Sequence, residues 1–389
     1  MEGGPRVRKD WPRGPQEGCI IPYLGDPDLR TRRRLSVRHT LTIIAVLLTG
    51  SAVASAQDDA FRAACDQAAA NLAASKNTEV VAALEPMLKD AALAKSPNRD
   101  RLCYYLGCAA FAIDSDFTAG RALSRLAPFE ASPYGPHARY LLGRIHHRSG
   151  EYTEAFAHYE AVPPGYEKQV AAAKQALPGV KDAAEKARLE ALVKAPTPDF
   201  VSEAIFHAGV VLYELKGFAD AIQKFTLFTQ KDKRPLWLEE ARLRMGMSQA
   251  RMGQNPEALK TLQPLQDHAR LARTVRWWMA RATLALPEGK AAEAAEHLKK
   301  SAAAPEVEAG PGTREIQVAL GDALERAGKA PEAVEVYKKL DGEQPLARLV
   351  GAHAAAKQFR EADDAAARFE KQYPGSPLTG DVVLRRADS

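Results

Sequence analysis

Four of the nine histidines lie between His137 and His158, and imidazole is a common ligand of zinc and other transition metals. A site here would join the adjacent pair His146 and His147 to one of the other two. Neighbouring residues on a helix point about 100° apart, and His137 lies nearly three turns before His147. One helix cannot bring these side chains to a single ion. The sequence therefore predicts polar surface histidines, with neither a metal site nor a cofactor.

Catalytic patterns are missing from the sequence. It contains no His-Glu-x-x-His, Gly-x-Ser-x-Gly or Cys-x-x-Cys motif. Gly321, Gly328 and Lys329 bear a faint likeness to a phosphate-binding loop, but their spacing differs. Ala330 also replaces the Ser or Thr that such a loop needs. We therefore expect no catalytic residues and no enzymatic activity.

The positive charge is concentrated near the N-terminus. Residues 1–56 carry nine of the 54 basic and five of the 49 acidic side chains, so the rest of the chain is close to neutral. A neutral body gives no electrostatic reason to expect a nucleic-acid partner. Five arginines between Arg30 and Arg38 precede the apolar run Leu41–Leu48, and Ala54-Ser55-Ala56 follows.

This order of basic residues, a short apolar run and an Ala-x-Ala site is typical of a secretory signal peptide. It predicts export to the periplasm or cell envelope, with cleavage after Ala56. The apolar run is shorter than the roughly 20 residues of a membrane span, and an uncleaved signal anchor stays an alternative. Residues 1–30 fit no element, so we expect translation to start near Leu35 or Val37.

Three cysteines remain after the predicted cleavage, and they allow two interpretations. In an oxidising compartment Cys65 can pair with Cys103 or Cys108, which leaves one thiol free. Alternatively, all three are small buried residues on alanine-rich helices.

One sequence pattern recurs along the chain. It consists of a first helix with a small residue, a turn with glycine, and a second helix with an alanine. An aromatic residue or leucine follows that alanine by four positions. The alanines that align are Ala155, Ala221, Ala258, Ala294, Ala333 and Ala362, at spacings of 66, 37, 36, 39 and 29 residues. A helix pair of this kind buries its apolar face only by stacking on the next pair. The spacings therefore predict an all-α solenoid of about seven to nine stacked antiparallel helix pairs.

Each repeated position has an expected role. The small residue faces the alanine so that the two backbones approach closely, and the turn glycine ends the first helix in a left-handed conformation. The aromatic residue lies on the same face as the alanine and fills the space against the next pair. The repeat positions are Gly143, Gly150, Tyr152, Ala155 and Tyr159; Gly209, Gly217, Ala221 and Phe225; Gly246, Gly253 and Ala258; and Gly321, Gly328, Ala333 and Tyr337. Weaker units are expected upstream, one with Cys108, Phe117, Gly120 and Ala127 at the same offsets and one at Ala69 and Val81–Leu84.

On these residues the chain resembles the tetratricopeptide repeat family. Gly143–Tyr159, Gly209–Phe225 and Gly321–Tyr337 carry the resemblance, which covers roughly residues 135–166 and 200–375. It implies a right-handed superhelix whose first helices line a concave groove that holds a protein or peptide. The segment Phe369–Pro377 is also similar to units of envelope repeat proteins, such as the coordinator of the Tol–Pal division system and the repeat lipoprotein of the outer-membrane barrel-assembly machine.

The resemblance places basic, aromatic and thioether side chains in the groove. The predicted groove residues are His137, Tyr140, Arg144, His147, Arg148, Phe206, Tyr213, Met247, Arg251 and Arg276. Together these groups suit a peptide with an acidic residue or a free C-terminus. The alternative is a solvated helix face with incidental apolar groups. Trp277 and Trp278 are a further candidate docking spot, although one of them is expected to pack between repeats.

The chain divides into four expected segments: an N-terminal extension with signal peptide at 1–56, helical repeats at 57–165, a helical insertion or linker at 166–199, and the main array at 200–389. The segment 166–199 is rich in Ala, Lys and Glu and ends at Pro196 and Pro198, and a degenerate extra pair is the alternative. The predicted function is a non-enzymatic interaction scaffold of the cell envelope. A structural spacer and a helical peptidoglycan-active enzyme remain alternatives.

Overall fold

The computed structural model describes residues 56–287, 289–306 and 310–387. Within these ranges the chain is helical and forms no strand, which confirms the predicted all-α class. The first helices are α1 (Ala56–Ala73), α2 (Asn77–Leu84), α3 (Arg99–Ala112), α4 (Asp116–Ser124), α5 (Gly135–Arg148), α6 (Tyr152–Glu160), α7 (Val162–Ala176), α8 (Ala183–Lys194) and α9 (Asp199–Glu214). The remaining helices are α10 (Phe218–Lys231), α11 (Pro235–Arg251), α12 (Asn255–Leu262), α13 (Ala272–Leu284), α14 (Ala291–Ala303), α15 (Thr313–Arg326), α16 (Ala330–Tyr337), α17 (Glu343–Ala355), α18 (Phe359–Gln372) and α19 (Thr379–Ala387).

These helices build an α-solenoid of eight stacked pairs in the described ranges. The pairs are α1/α2, α3/α4, α5/α6, α9/α10, α11/α12, α13/α14, α15/α16 and α17/α18, and α19 packs against the last of them. Each second helix also packs against the first helix of the following pair. The predicted signal peptide lies outside the described residues except for Ala56, where α1 begins.

The turn inside each pair has one conformation throughout the array. The residue two positions before each second helix has a positive φ: Ser75, Asp114, Gly150, Lys216, Gly253, Gly289, Gly328 and Lys357. Glycine adopts this left-handed conformation without strain, which explains half of the positions. The prediction is wrong for Gly217, which has a φ of −79° and precedes α10, because Lys216 takes the left-handed position.

The small residue of each first helix makes room for a large side chain rather than for the alanine. A Cβ atom on Gly143 would lie 2.7 Å from the Tyr159 ring, and one on Gly321 would lie 2.4 Å from the Tyr337 ring. The prediction that this small residue faces the alanine of the second helix is therefore wrong. The aromatic residue sixteen positions after the glycine lies over that glycine within its own pair, because only a residue without a side chain leaves the space.

The same spacing corrects the register of the weaker units upstream. In the pair α3/α4, Gly107 faces Leu123, and Ala119 holds the position of the aligned alanines. The offsets predicted at Gly120 and Ala127 are therefore wrong. Gly120 has no atom within 4 Å of its Cβ position, so it does not serve as the small packing residue.

Helices α7 and α8 form a hairpin that interrupts the series of pairs. Helix α9 packs directly on α6, so the stacking continues past the hairpin. Helix α7 packs against α5 and α9, whereas α8 packs mainly against α7. In α8 only Leu189 is buried.

The three cysteines of the described chain are free thiols, and all are buried. Burial is the main cause that raises the pKa of Cys65 to about 12, of Cys103 to about 11 and of Cys108 to about 12. The structure thus shows the second of the two interpretations, buried cysteines, and shows no Cys65 disulfide.

Candidate binding surface

Most of the predicted groove residues lie between helices rather than on an open surface. The buried ones are His137, Tyr140, Arg144, Phe206, Tyr213, Met247 and Arg276. His147 is half-buried, and Arg148 and Arg251 are exposed. These seven side chains are covered because both neighbouring pairs pack against the first helices. Their part in binding stays a prediction.

A buried polar chain links the third pair to the fourth. The Arg144 Nη1 donates to the Tyr140 hydroxyl at 2.9 Å, and that hydroxyl donates to the Glu203 Oε2 at 2.6 Å. The Arg234 Nη1 donates to the other oxygen of Glu203 at 2.7 Å. Each charged side chain in this hydrogen-bonded series has an opposite charge or a hydrogen-bond partner, and a charge needs such a partner to be buried. Arg144 and Tyr140 therefore hold α5 against α9.

Burial holds His137 and His147 in their neutral form. Burial lowers the pKa of His137 to about 3 and is the main cause that lowers the pKa of His147 to about 4. The His137 Nδ1 lies 2.6 Å from the Tyr104 hydroxyl, and the rings of His146 and His158 stack at 5.3 Å. No group of three or more potential ligands that could hold a metal ion occurs among the described residues.

Arg148 is exposed but already engaged. Its guanidinium lies 4.4 Å from the centre of the Phe111 ring, and it forms ion pairs with Asp114, at 2.9 Å, and with Asp116. Both carboxylates belong to the preceding pair, so Arg148 joins α5 to the turn between α3 and α4. This arginine is therefore a poor candidate for a ligand contact.

Arg251 offers a different environment. Its guanidinium lies 5.1 Å from the centre of the Trp278 ring on the next pair, and the exposed Arg281 lies 5.4 Å from the same ring. In the part of the chain that the structure describes, neither arginine has a carboxylate within 4.0 Å. We call Arg251, Trp278 and Arg281 the arginine–tryptophan cluster.

Two residues of α9 border the arginine–tryptophan cluster. Burial raises the pKa of the Tyr213 hydroxyl, and the nearby guanidinium of Arg251 opposes this effect. Burial also raises the pKa of Glu214, and the charges of Arg244 and Arg251 oppose this effect. Arginine stays protonated at any physiological pH, so the cluster presents two positive charges on an aromatic base.

A family model of the tetratricopeptide repeat matches the sequence over residues 118–169, 243–308 and 302–348. These segments contain the pairs α5/α6, α13/α14 and α15/α16, and the end of α11 together with α12. These segments are similar to the tetratricopeptide repeat and make up about two fifths of the chain. Tetratricopeptide repeat proteins commonly bind protein or peptide partners. No curated protein matches the sequence.

Several solved structures are similar to the tetratricopeptide array of this chain. A tetratricopeptide repeat protein from Parabacteroides merdae is 13% identical, with 74% of this chain and 98% of that chain covered and a TM-score of 0.42. The apo form of RapI is 11% identical, with 93% and 97% covered and a TM-score of 0.47. The thermophilic protein TTC0263 of Thermus thermophilus is 20% identical, with 48% and 97% covered and a TM-score of 0.31.

Sequence reasoning placed part of the arginine–tryptophan cluster and missed the rest. It placed Arg251 on the groove, and the structure leaves that residue exposed. It missed Arg281, although this residue follows Trp277 and Trp278 by four and three positions and so lies on the same helix face. The tryptophans of the candidate docking spot are both buried, since Trp277 is 5% and Trp278 is 3% exposed, whereas the sequence predicted that one of them packs between repeats.

Within the described ranges, no helix has the length and apolar content that crossing a bilayer requires.

Proposed function

We propose that this tetratricopeptide array is a non-enzymatic scaffold of the cell envelope that binds a protein or peptide partner through the arginine–tryptophan cluster. The partner's contacting group is a carboxylate, from an acidic side chain or a free C-terminus. The observation that supports this most directly is the pair of exposed guanidinium groups over Trp278, neither of which has an ion-pair partner within 4.0 Å among the described residues.

The chemistry of the cluster supports a carboxylate ligand for two reasons. Guanidinium groups bind carboxylates with two parallel hydrogen bonds, and such charge-assisted bonds are stronger than neutral ones. Stacking on Trp278 also restricts the two arginine side chains before the ligand arrives, which lowers the entropy lost on binding. The guanidinium of Arg148 is less available to a ligand carboxylate, because it already forms an ion pair with Asp114.

The binding proposal is tested by affinity capture from envelope extract with residues 57–389 as bait. The same capture is repeated with the double variant Arg251→Ala and Arg281→Ala. A small reproducible set of envelope proteins that binds the parent chain and is lost from the variant supports the proposal. The matched control is Arg242→Ala with Arg326→Ala, two arginines outside the cluster, which should leave the capture unchanged.

Two outcomes contradict the binding proposal. If the double variant keeps the partners while its unfolding transition is unchanged, the cluster is not the binding site. An empty capture with the parent chain favours the structural spacer. Hydrolysis of purified peptidoglycan by the chain would instead favour the enzyme alternative.

The envelope location rests on the sequence before Ala56. The arginines and apolar run of residues 30–48 support export, as argued from their order. Fractionation of cells followed by N-terminal sequencing of the mature protein tests it. Export with cleavage gives a first residue of Gln57, whereas a protein that stays in the cytoplasm with an intact N-terminal segment would overturn the location.

A further inference from the structure

A cavity of about 450 Å³ lies at the start of α3, between the segment that precedes this helix and the loop that precedes α5. Its walls are formed by Ala94, Lys95, Ser96, Pro97, Arg99, Asp100, Arg101, Pro133 and Tyr134. We call it the α3 cavity. It is separate from the arginine–tryptophan cluster, which lies on α11 and α13.

The first turn of α3 has unused backbone donors. The backbone N–H groups of Asp100 and Arg101 have no hydrogen-bond acceptor among the described residues. Asn98, the residue before the helix, makes no cap bond, and its side-chain amide instead donates to a backbone carbonyl of α1 at 3.4 Å. The start of α8 differs, since there the Asp182 carboxylate accepts from the Glu185 N–H at 2.7 Å. A carboxylate of the chain thus fills at α8 the position that is open at α3.

The ion pairs of the α3 cavity leave one positive charge without a partner. Arg99 pairs with Asp100 at 3.0 Å. Arg101 pairs with Asp66 of α1 at 2.7 Å. The Lys95 side chain is exposed, and no carboxylate of the described residues lies within 4.0 Å of its ammonium group. Over the lining residues and their ion-pair partners three cations therefore face two anions, and the helix dipole adds about half a positive charge at the same place.

Tyr134 adds a second, independent donor to the α3 cavity. This residue lines the cavity and is 1% exposed. Its hydroxyl is buried and has no hydrogen-bond partner in the part of the chain that the structure describes. Burial is the main cause that raises the pKa of Tyr134, and the charge of Arg101 opposes this effect, so the hydroxyl lies near the first turn of α3. A buried hydroxyl without a partner destabilises the folded chain, and an acceptor oxygen of a ligand removes that cost.

The basic residues of this first turn lie against the helix dipole. Arg99 and Arg101 are the first and third residues of α3, where a positive side chain is unfavourable. A bound anion reverses that effect, because it compensates the arginines and the backbone N–H groups together.

We propose that the α3 cavity binds a phosphate group. The available donors are the Lys95 ammonium, the two backbone N–H groups of the first turn and the Tyr134 hydroxyl. A phosphate group carries about 1.5 to 2 negative charges and three acceptor oxygens, so it matches these donors better than a carboxylate with two oxygens does. The apolar walls leave room for a small organic group, and the source of the phosphate is therefore free phosphate or a small phosphate monoester. The site does not depend on the arginine–tryptophan cluster or on the function proposed for it.

The test is isothermal titration calorimetry of the full chain with phenyl phosphate, inorganic phosphate and benzoate. Phenyl phosphate should bind about tenfold more tightly than benzoate, which has the same ring but a smaller charge and fewer acceptor oxygens. Inorganic phosphate distinguishes the two sources. Weaker binding than that of phenyl phosphate assigns a monoester, and equal or tighter binding assigns free phosphate. Added salt should weaken the binding of both phosphates, because Lys95 is exposed.

Tyr134→Phe removes the hydroxyl and keeps the ring, which stacks on Tyr104 at 4.4 Å. This variant should bind phenyl phosphate about tenfold more weakly, because a hydrogen bond to a charged group is lost. Its unfolding transition without ligand should be unchanged or higher, since the hydroxyl has no partner in the described chain. The matched control is Tyr166→Phe on α7, outside the α3 cavity, which should leave the affinity unchanged.

Lys95→Gln removes the one cation of the α3 cavity that has no ion pair. It should weaken the binding of phenyl phosphate about fivefold, the upper range for a charge pair at the surface. Lys89→Gln is the matched control. Lys89 is also exposed and ends the preceding 3₁₀ turn, but it does not line the cavity, so this change should have no effect.

Each remaining outcome counts against the proposed phosphate site. If neither phosphate binds, the site is overturned. Benzoate that binds as tightly as phenyl phosphate overturns the choice of a phosphate group. An affinity that is unchanged in both Tyr134→Phe and Lys95→Gln places the ligand elsewhere. If the affinity is instead lost with Arg251→Ala and Arg281→Ala, the anion binds at the arginine–tryptophan cluster and not in the α3 cavity.

Discussion

The stacked pairs and the hairpin α7/α8 are both made of alanine-rich helices, yet only the pairs follow the repeat. Each pair has a left-handed residue two positions before its second helix, whereas the hairpin has no positive φ between α7 and α8. Its connection instead contains the short 3₁₀ turn Leu177–Gly179. The turn and its packing residues, rather than helix content, therefore decide whether a helix pair enters the stack.

Burial shows the same difference. In the pair α11/α12, Leu262 is fully buried and a Cβ on Gly246 would lie 2.5 Å from it. In the hairpin, α8 contributes Leu189 alone to the buried set, and it is 7% exposed. A segment held by so few apolar contacts opens at a lower free energy than the stack.

The largest expected effect comes from comparing one substitution in both regions. Leu262→Ala should lower the free energy of unfolding by about 3–5 kcal/mol, because it leaves a cavity in a packed interior. Leu189→Ala should cost only about 1 kcal/mol, since the hairpin relaxes around it. Denaturant unfolding of both variants measures the difference. Equal losses would show that the hairpin is as firmly packed as the stack.

Acid should weaken the stack next to the hairpin, through His137. This residue is buried, its ring lies 4.8 Å from that of Phe200, and burial lowers its pKa to about 3. The unfolded chain takes up a proton near pH 6.5, while the folded chain does not until about pH 3. Stability is therefore complete above pH 6.5 and falls as the pH decreases towards 3.

Below pH 6.5 the free energy of unfolding falls by about 1.4 kcal/mol per pH unit for each such histidine. At pH 5 the loss from His137 is therefore about 2 kcal/mol. The variant His137→Gln should show a shallower dependence between pH 6 and pH 4. Unfolding midpoints across that interval measure it. His268→Gln is the control, because His268 is partly exposed and pairs with Glu239 at the surface. An unchanged slope in the His137 variant would contradict the assignment.

Glycine substitutions separate packing from helix propensity. Gly321→Ala should lower the free energy of unfolding by about 2 kcal/mol, because its Cβ would lie 2.4 Å from the Tyr337 ring. Gly120→Ala should raise it by about 0.5–1 kcal/mol, because that glycine lies inside α4 with open space beside it. Thermal unfolding of both variants is the measurement. A stabilised Gly321 variant would show that the ring moves aside at little cost.

The sequence predicted the solenoid and the aligned alanines because each depends on residues that recur at nearly constant spacing. It did not predict which first-helix residues stay accessible. Polar and aromatic side chains occur all along these helices, but two neighbouring pairs cover most of the helix length. Arg148, Arg251 and Arg281 are exposed because they lie in the last turns of their helices. That outcome depends on the packing of the adjacent pairs.

The upstream register failed for a related reason. The repeat pattern placed Cys108 at the small position of the first helix and Gly120 at the alanine position. Spacing alone did not show that each lies one residue after the position that packs, which is Gly107 in the first helix and Ala119 in the second. The decisive feature is the sixteen-residue step from Gly107 to Leu123, which the structure reveals in pair after pair. The cavity between the hairpin and α9 could not be predicted either, because Lys174 and Lys231, which both line it, are far apart in the sequence.

The smallest expected effect concerns the turn that separates α9 from α10. Lys216 has a φ of 63°, a conformation that costs most side chains about 1 kcal/mol and glycine almost nothing. Lys216→Gly should therefore raise the free energy of unfolding by about 0.5 kcal/mol, part of the gain being offset by the greater freedom of glycine in the unfolded chain.

Two neighbouring substitutions complete the comparison. Gly217→Ala should change stability by less than about 0.5 kcal/mol, because Gly217 has an ordinary φ of −79°. Gly253→Ala should lower stability by about 1 kcal/mol, because Gly253 has a φ of 76°. Thermal unfolding of the three variants, measured side by side, gives the order. If Gly217→Ala were the most damaging of the three, the left-handed position would belong to Gly217, as the repeat pattern alone predicts. The turn before α10 would then differ from those that follow Arg148 and Arg251, where the left-handed residue lies two positions before the second helix.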